Sequence, residues 1–594
     1  MAPSHTAAPR GTEYTPVLIV GGGLAGLSLS LFLSQHGIAN LLLERHATTS
    51  THPRARGVNV RTMEILRAAG LEETVRATES ARALRENHGI VAAHDLAGRE
   101  FGRMDGAHMA DPRPEAWRDV SPTHWALCDQ DELEPLIAGR ARALGSRLLF
   151  GHELVSLEGT VATVRDLRTG AVFRTDTTYV AAADGARSPL RTARSIPMEG
   201  PGALAHFANI YFHADLTAPL GDRRFVMCYL RQDDFQGALL PIDNHRRWLL
   251  HVPIGPDWER EKLRFSPGAC AELVRKATGV PTVEPDIRGV LPWESAARVA
   301  RRWREGDVFL VGDAAHVMPP TGAFGSNTGI QDAHNLAWKL AAVLRGEAGP
   351  ALLDTYEAER RPVAAATVEQ AVLRSRDRGR KSDEAQPGEA LASDAAVMLG
   401  YRYRSAAVLP EGDAFPDGAA APAGGAEAAE PGREGTGAAP GDIIRPVEEI
   451  AGLPGTRAPH VPLPGGLSLL DRYGAEYVLV TSDTRWLRAA SEGNGTGVRL
   501  RVCHLPADEE TAKEFHLRYG VQLDGAVLVR PDGFIGWRST VAPSRPRTAL
   551  SEALARLSAG GRPAAKARPA AEVRPAAEAR PSAPGQPSAE GGRA

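Results

Sequence analysis

Residues able to do chemistry gather first in VLIVGGGLAGLSLSLFLSQHGIANLLLERH. Gly21, Gly23 and Gly26 form G-x-G-x-x-G after an apolar run at 17–20, and a helical run follows at 27–35. A second apolar run at 39–43 ends in Glu44, 18 residues after Gly26. In a strand–turn–helix–strand setting each glycine has its own duty. Gly21 permits the tight turn, Gly23 lets a pyrophosphate approach the backbone, and Gly26 lets helix pack closely on strand. Leu24 and Ala25, between the glycines, offer backbone N–H groups at a helix start, where the partial positive charge favours an anion. Glu44 can accept hydrogen bonds from ribose hydroxyls. A glycine turn that only packs a helix on a sheet leaves this acid without a purpose, so the stretch reads as a dinucleotide site. The loop alone does not separate FAD from NAD(P).

Two further stretches carry acids at strand ends. YVAAADGARSPLR closes an apolar run with Asp184-Gly185 and continues to Ser188 and Arg191. GDVFLVGDAAHVMPPTGAFGSNTGIQDAHNLAWKLA places Gly312-Asp313 after a strand-like run, then Pro319-Pro320, then Gly325, Ser326 and Asn327. The last three enter a helix whose Ala333, Leu336, Ala337, Leu340 and Val343 recur at three- and four-residue steps. Arg45 and Arg54 follow the second apolar run. Their planar forks suit a pyrophosphate or an adenine ribose.

In this order, over about residues 16–372, the three stretches resemble the fingerprints of the group A flavoprotein aromatic hydroxylases, the para-hydroxybenzoate and phenol hydroxylase family. The resemblance implies an α/β FAD-binding domain of the glutathione-reductase-like Rossmann variant. It adds an antiparallel-sheet substrate domain and a C-terminal thioredoxin-like α/β domain. It implies FAD as cofactor and NADPH or NADH as co-substrate, with O2 activated as a flavin C4a-hydroperoxide that an electron-rich ring attacks. Asp313 takes the place of the acid that holds the ribityl chain. Gly325, Ser326 and Asn327 match backbone donors to the flavin N1 and C2 oxygen. Gln130 and Val155 join the cofactor contacts, and Asp184 belongs to a motif linked to both FAD and NAD(P)H. The chain departs from the family at RTARSI, where a glycine is common near Ser195.

On the substrate side, Arg56 stands where phenol hydroxylases carry an acid. A guanidinium is no base at neutral pH, so it is expected to bind a phenolate or orient a carbonyl-rich substrate. Pro320, with Pro319, matches a turn whose carbonyl can accept a substrate hydroxyl proton. Tyr229, Arg231 and His251 are strand residues expected to face the pocket, and Trp293 its apolar wall. The resemblance runs closest to actinomycete hydroxylases of aromatic polyketides, of the tetracenomycin and anthracycline type. The expected activity is hydroxylation of a polycyclic aromatic polyketide in antibiotic biosynthesis. Baeyer–Villiger or quinone-forming oxygenation and a non-catalytic flavin-binding scaffold are the alternatives. A halogenase would need W-x-W-x-I-P, which RRWLLHVPI does not match.

These residues need elements to hold them. Short apolar runs at 203–253 read as antiparallel strands. The expected FAD-binding domain is 13–200 with 290–385, and the middle domain is 201–289 with part of 85–120. Residues 386–442 read as a helix and low-complexity linker. Residues 443–558 form a second globular piece with the strand-like runs EYVLVTSD, VRLRVCHL and GAVLVRPDGFIGW, and 559–594 an Ala/Pro/Arg-rich disordered tail. Lys plus Arg is 69 against 72 Asp plus Glu, a net charge of −3 that gives no reason to seek nucleic acid or an anionic membrane. Cys128, Cys228, Cys270 and Cys503 lack CxxC or zinc spacing, so neither a metal nor disulfide exchange is expected, and a reducing cytoplasm fits. A homodimer is left open.

Overall fold

The computed structural model describes residues 13–104, 114–377, 391–411, 443–492, 495–506 and 509–559. The tail from residue 560, and the low-complexity stretch at 412–442, lie outside these residues.

The first sheet runs in the order Arg304–Glu305, Val308–Leu310, Val172–Ala182, Glu13–Val20, Asn40–Glu44, Arg147–Phe150. From Val308–Leu310 onward these neighbours pair in parallel. Val17, Leu18 and Ile19 are fully buried, as expected of a strand covered on both faces. The helix Leu24–Gln35 packs against two others, Phe324–Leu344 and Gln130–Ala143. Enclosed by sheet and helices, it is apolar on nearly every face rather than along one stripe. Three of the parallel strands end toward Gly21, Asp184 and Asp313, and a fourth ends in Glu44 itself. The carboxyl edge of such a sheet is where ligands bind.

The second sheet runs His316–Val317, Asp286–Ala300, Met198–His213, Arg247–Ile254, Gln236–Pro241, Met227–Arg231, Ile90–Ala93, Glu100–Met104. Its pairings are antiparallel except that Met227–Arg231 lies parallel to Ile90–Ala93. The boundaries expected at 200/201 and 289/290 fall inside two of these strands. Alternation splits the sheet in two. Cys228, Leu230, Phe212, Leu239, Trp248 and Leu250 pack on the helix Pro267–Thr278. The opposite face carries Tyr229, Ala238, His251 and Asn209 in one register row. Beside it lies the pair Phe207 and Trp293, stacked at 4.7 Å.

Toward the C-terminus a four-stranded sheet runs Leu500–His504, Tyr477–Thr481, Ala526–Val529, Ile535–Ser539. The run GAVLVRPDGFIGW is two strands, not one, because Asp532-Gly533 turns the chain, with Gly533 at φ 78°. Fully buried ion pairs fix this unit to the first sheet's helices. Arg530 spans Glu359 at 2.6 and 2.8 Å, and Lys339 meets Glu359 at 2.7 Å. Nearby, Arg457 reaches Glu64 at 2.5 and 2.8 Å. Burial alone would raise the Glu64 carboxyl; Arg457 and then Arg61 outweigh it and hold it below the ordinary carboxylate range. At the departure near Ser195 the turn is kept: Ser195 itself adopts φ 51°, the left-handed region that glycine enters freely.

Candidate functional site

The three acid- and glycine-bearing stretches meet. A Cβ on Gly21, at φ 110°, would sit 2.1 Å from the Ala183 carbonyl oxygen, and one on Gly26 1.9 Å from the Gly21 oxygen. Neither position tolerates a side chain, which joins the first loop to Asp184's strand. Gly312 at φ 63° approaches Ala25, whose Cβ would be 2.7 Å from an added one. Arg191 donates to the carbonyls of Ala314 and Ala186, both at 2.9 Å, tying the Asp184 loop to the Asp313 turn. That turn is braced from behind by Asp332, which meets His316 at 2.8 Å and Arg360 at 2.8 Å, all fully buried.

The donor set here fits FAD. The helix Leu24–Gln35 starts at Gly23 with no side-chain cap and no acid in its first turn, leaving its N–H groups for an anion. The nearest atom to a Cβ on Gly23 would be 4.0 Å away, so this cradle is open where Gly21 and Gly26 are closed. The helix Phe324–Leu344 likewise starts uncapped and without an early acid, after Ala323 at φ 51°. Its first turn presents the N–H groups of Gly325 and Ser326. The Asp313 carboxylate has no hydrogen-bond partner among the described residues. Its side chain is exposed and so open to hydroxyl donors, while the protein packed around its base raises its pKa against the pull of His316 and Arg54. Exposed Arg54 thus lies within electrostatic reach of Asp313, and also of Glu134.

Other expected contacts are occupied differently. Glu44 accepts the Gly22 N–H at 2.6 Å through one oxygen, and the His46 N–H at 2.8 Å through the other. The His46 ring also meets that second oxygen at 2.5 Å, so the oxygen that accepts from Gly22 is the one that keeps a lone pair for a ribose hydroxyl. Gln130 donates to Glu134 at 2.6 Å and accepts the Ala55 N–H at 3.3 Å, so its amide ties the loop to the helix Gln130–Ala143. The side chain of Asn327 bonds Gly57 and Asn59. Arg45 is exposed and unpaired among the described residues, and Val155 is 48% exposed at a strand irregularity.

Facing the second sheet, Arg56 is buried. It donates to the Val226 carbonyl at 3.3 Å and lies 3.4 Å from Asp129. His52 packs edge-on to Tyr211 at 5.6 Å, and His251 to Trp293 at 5.7 Å. Burial first, then neighbouring cations, lower His251 to about 3 and His52 to about 4, so both rings are neutral at pH 7. Tyr211 accepts from Arg247 at 3.1 Å, and Arg247 pairs with Asp131 at 2.7 Å. Buried polar atoms without a partner among the described residues cluster here. They are Arg56 Nη2, Asn209 Oδ1, Trp293 Nε1, both His52 nitrogens and both Asp129 oxygens. Buried polar atoms are normally satisfied, so an aromatic floor with unspent donors and acceptors suits a flat substrate edged with oxygens. Tyr229 shares this face. Arg231 follows at an exposed strand end and pairs with nothing among the described residues. The Pro320 carbonyl is used by the Ala323 N–H at 2.9 Å, whereas that of Pro319 accepts nothing among the described residues. Sequence reasoning missed His52, Asp129, Asn209, Tyr211 and Arg247. Only Asp129, next to Gln130, had a local signal.

A parallel sheet with a glycine loop and an acid at its carboxyl edge, beside an aromatic-faced second sheet, defines an FAD-binding flavoprotein. The chain belongs to the aromatic-ring hydroxylase family. Residues 14–371 match the FAD binding domain, and residues 451–562 the aromatic-ring hydroxylase C-terminal domain. It is 38% identical to the tetracenomycin A2 monooxygenase-dioxygenase of Streptomyces glaucescens, covering 92% of this chain and 97% of that one. It is 40% identical to a 4-methyl-5-nitrocatechol 5-monooxygenase of Burkholderia, covering 91% and 96%. The crystal structure of aklavinone-11 hydroxylase with FAD and aklavinone superposes with a TM-score of 0.80 at 34% identity, covering 92% and 99%. This protein is an FAD-dependent aromatic monooxygenase. Among the described residues no helix is long and apolar enough to cross a membrane.

Proposed function

We propose that this enzyme hydroxylates a polycyclic aromatic polyketide with electrons from NADPH or NADH and one atom of O2, releasing the other atom as water. Ring C–H, O2, reduced nicotinamide and a proton become ring C–OH, oxidised nicotinamide and water. Bound FAD supplies the redox chemistry, passing electrons from the nicotinamide to oxygen. Gly23, the N–H groups of Leu24 and Ala25, Glu44, Arg54, Asp313, Gly325 and Ser326 would hold it, with Gln130 and Asn327 shaping the walls.

The chain's own residues then bind, orient and keep out water. Arg56 cannot act as a base, so it stabilises a substrate phenolate, which makes the ring electron-rich. Pro319, rather than Pro320, has the free carbonyl to take a hydroxyl hydrogen. Phe207, Trp293, Tyr211 and Tyr229 form the flat floor of the second, substrate-holding sheet. The observation that carries the reading is the set of unpaired polar atoms on that floor, which a single isolated ring would leave mostly unmet. The polyketide enzymes among the relatives support it. The C-terminal unit is read as thioredoxin-like from its sheet order, second strand, first, third, fourth. Lacking CxxC and locked by Arg530, it serves as packing. Unpaired cysteines fit a reducing cytoplasm.

The test is turnover of reconstituted enzyme with NADPH or NADH under isotope-labelled O2, offering aklavinone, a tetracenomycin precursor and 4-methyl-5-nitrocatechol in parallel. One labelled oxygen in a polyketide product is expected. Labelled product from the nitrocatechol alone, or peroxide with no product from any of them, overturns the reading.

A further inference from the structure

Asp129 precedes the helix Gln130–Ala143 at the position where an aspartate usually caps, yet its side chain caps nothing. It is 1% exposed, and neither carboxylate oxygen has a hydrogen bond among the described residues. Its backbone N–H is held by the Ser80 hydroxyl at 3.0 Å, so the residue is fixed in place. Its nearest cation is Arg56, Nε to Oδ1 at 3.4 Å, and Arg56 Nη2 is itself buried and unpaired. A loose ion pair with unspent hydrogen-bonding atoms on both sides thus sits at the edge of the aromatic floor. A carboxylate with no donor and a guanidinium with an unspent N–H are each costly to bury. They are reconciled if the guanidinium's remaining attraction is meant for something else.

We propose that Asp129 is a positioning residue for substrate capture: it holds the Arg56 guanidinium at the floor of the second sheet and takes up one proton when an anionic substrate oxygen docks on Arg56. This rests on the reading above that Arg56 faces the substrate. The step is a plain protonation, carboxylate plus solvent proton giving carboxylic acid, with no redox change. A phenolate beside Arg56 claims its positive charge and adds a second negative charge next to Asp129, and protonation of Asp129 relieves the repulsion. The surrounding groups favour that exchange. From its own helix come Asp131 and Glu132, both of which oppose ionisation of Asp129. From the second sheet comes Arg247, which favours ionisation but is drawn toward Asp131 at 2.7 Å, Glu79 at 3.6 Å and Glu132 at 3.9 Å. The Cys128 thiol is pushed by burial to about 12 and stays neutral, as do His251 and His52. Burial first, set against Arg56, brings the Asp129 carboxyl up to about 7, within reach of ordinary assay conditions.

The test uses oxidised holoenzyme without nicotinamide, so it reads binding alone and its failure is distinct from failed turnover. The probe is alizarin, a dihydroxyanthraquinone whose phenolate has its own visible band. Calorimetry in two buffers of different ionisation heat counts protons, and absorbance subtracts those belonging to alizarin itself. The expected result is uptake of about one proton at about pH 8, with phenolate affinity falling about tenfold per pH unit above the Asp129 titration. Asp129→Asn is expected to abolish the uptake and leave phenolate affinity within about twofold from about pH 6 to about pH 9. Asp131→Asn is expected to retain the uptake. Binding of neutral alizarin only, no binding, no proton uptake by the wild type, or undiminished uptake in Asp129→Asn would each overturn the proposal. Should Asp129→Asn lose FAD, the wild-type proton count decides by itself.

Discussion

The side-chain amide of Asn327 donates to the Gly57 carbonyl at 2.8 Å and accepts the Asn59 N–H at 3.0 Å. One residue of the helix start proposed above to face the cofactor thereby pins the segment that carries Arg56. On that proposal the cofactor and substrate ends share this joint. Removing it in Asn327→Ala leaves buried backbone groups unpaired, at about 1–3 kcal/mol each. We expect FAD affinity to fall about 10- to 100-fold and alizarin binding to weaken with it, read by flavin fluorescence titration of the apoprotein. A variant that binds both ligands normally would show that the joint is dispensable.

Gly21 and Gly23 separate folding from cofactor capture. Gly21→Ala forces a methyl into the Ala183 carbonyl at 2.1 Å, so the protein is expected not to accumulate in folded form. Gly23 has extended backbone, φ −79° and ψ −176°, and open space around it. Gly23→Ala is therefore expected to keep the circular dichroism of the parent yet lose about tenfold or more in FAD affinity, because the methyl occupies the pyrophosphate's approach. Unchanged affinity would move the cofactor off this loop.

Ser195 stores a small strain. A non-glycine residue in the left-handed region costs about 1–2 kcal/mol, partly offset by the greater freedom glycine has when unfolded. Ser195 is exposed, so nothing else is lost in Ser195→Gly, and urea denaturation is expected to show a gain of about 0.5–1 kcal/mol. A loss of stability would mean the serine side chain holds the turn.

How much could be read in advance follows from how local each signal is. The loop of Gly21, Gly23 and Gly26, the ends at Glu44, Asp184 and Asp313, and the helix through Leu336 and Leu340 are set by neighbours a few residues apart, so spacing reveals them. The floor of the site is not local. Asp129 meets Arg56 because Gly57–Val58 pairs with Ala126–Leu127, about 70 residues on, and His52 meets Tyr211 only because the 50–57 loop folds over a strand found more than 150 residues later. Position alone assigns Gln130 to FAD, and spacing does not show that its amide also donates to Glu134, one helical turn on. The Arg530–Glu359 pair spans 171 residues of chain and no pattern announces it.

That pair, with Lys339 and Asp532, has zero or 1% side-chain exposure, so its charges depend on each other rather than on water. Arg530→Met leaves Glu359 with Lys339 for a cation, beside the Asn335 amide and the Ser405 hydroxyl, and takes the ion pair from Asp532; it is expected to cost about 3–5 kcal/mol, seen as a lowered thermal midpoint for the whole chain. Because the pair is shielded, the loss should be the same at low and high salt, unlike that of surface bridges. A salt-dependent or negligible effect would separate the C-terminal unit from the stability of the flavin domain.

Asp129 makes a stability prediction independent of ligand binding. Its carboxyl lies near 3.8 when unfolded and about 7 when folded, raised chiefly by burial. Between those values the folded state holds the extra proton, so stability falls as pH rises through the window and is level above it. The full difference is about 4 kcal/mol, one unit being about 1.4 kcal/mol. In Asp129→Asn the group no longer ionises, so this part of the decline should vanish. Urea unfolding of both holoproteins at about pH 5 and about pH 8 should give Asp129→Asn an advantage of about 1–2 kcal/mol at the lower value, growing to about 4 kcal/mol at the higher. If the variant is instead weaker at about pH 8, the ionised Asp129 is a net support to Arg56, and the capture of a proton on substrate binding loses its driving force.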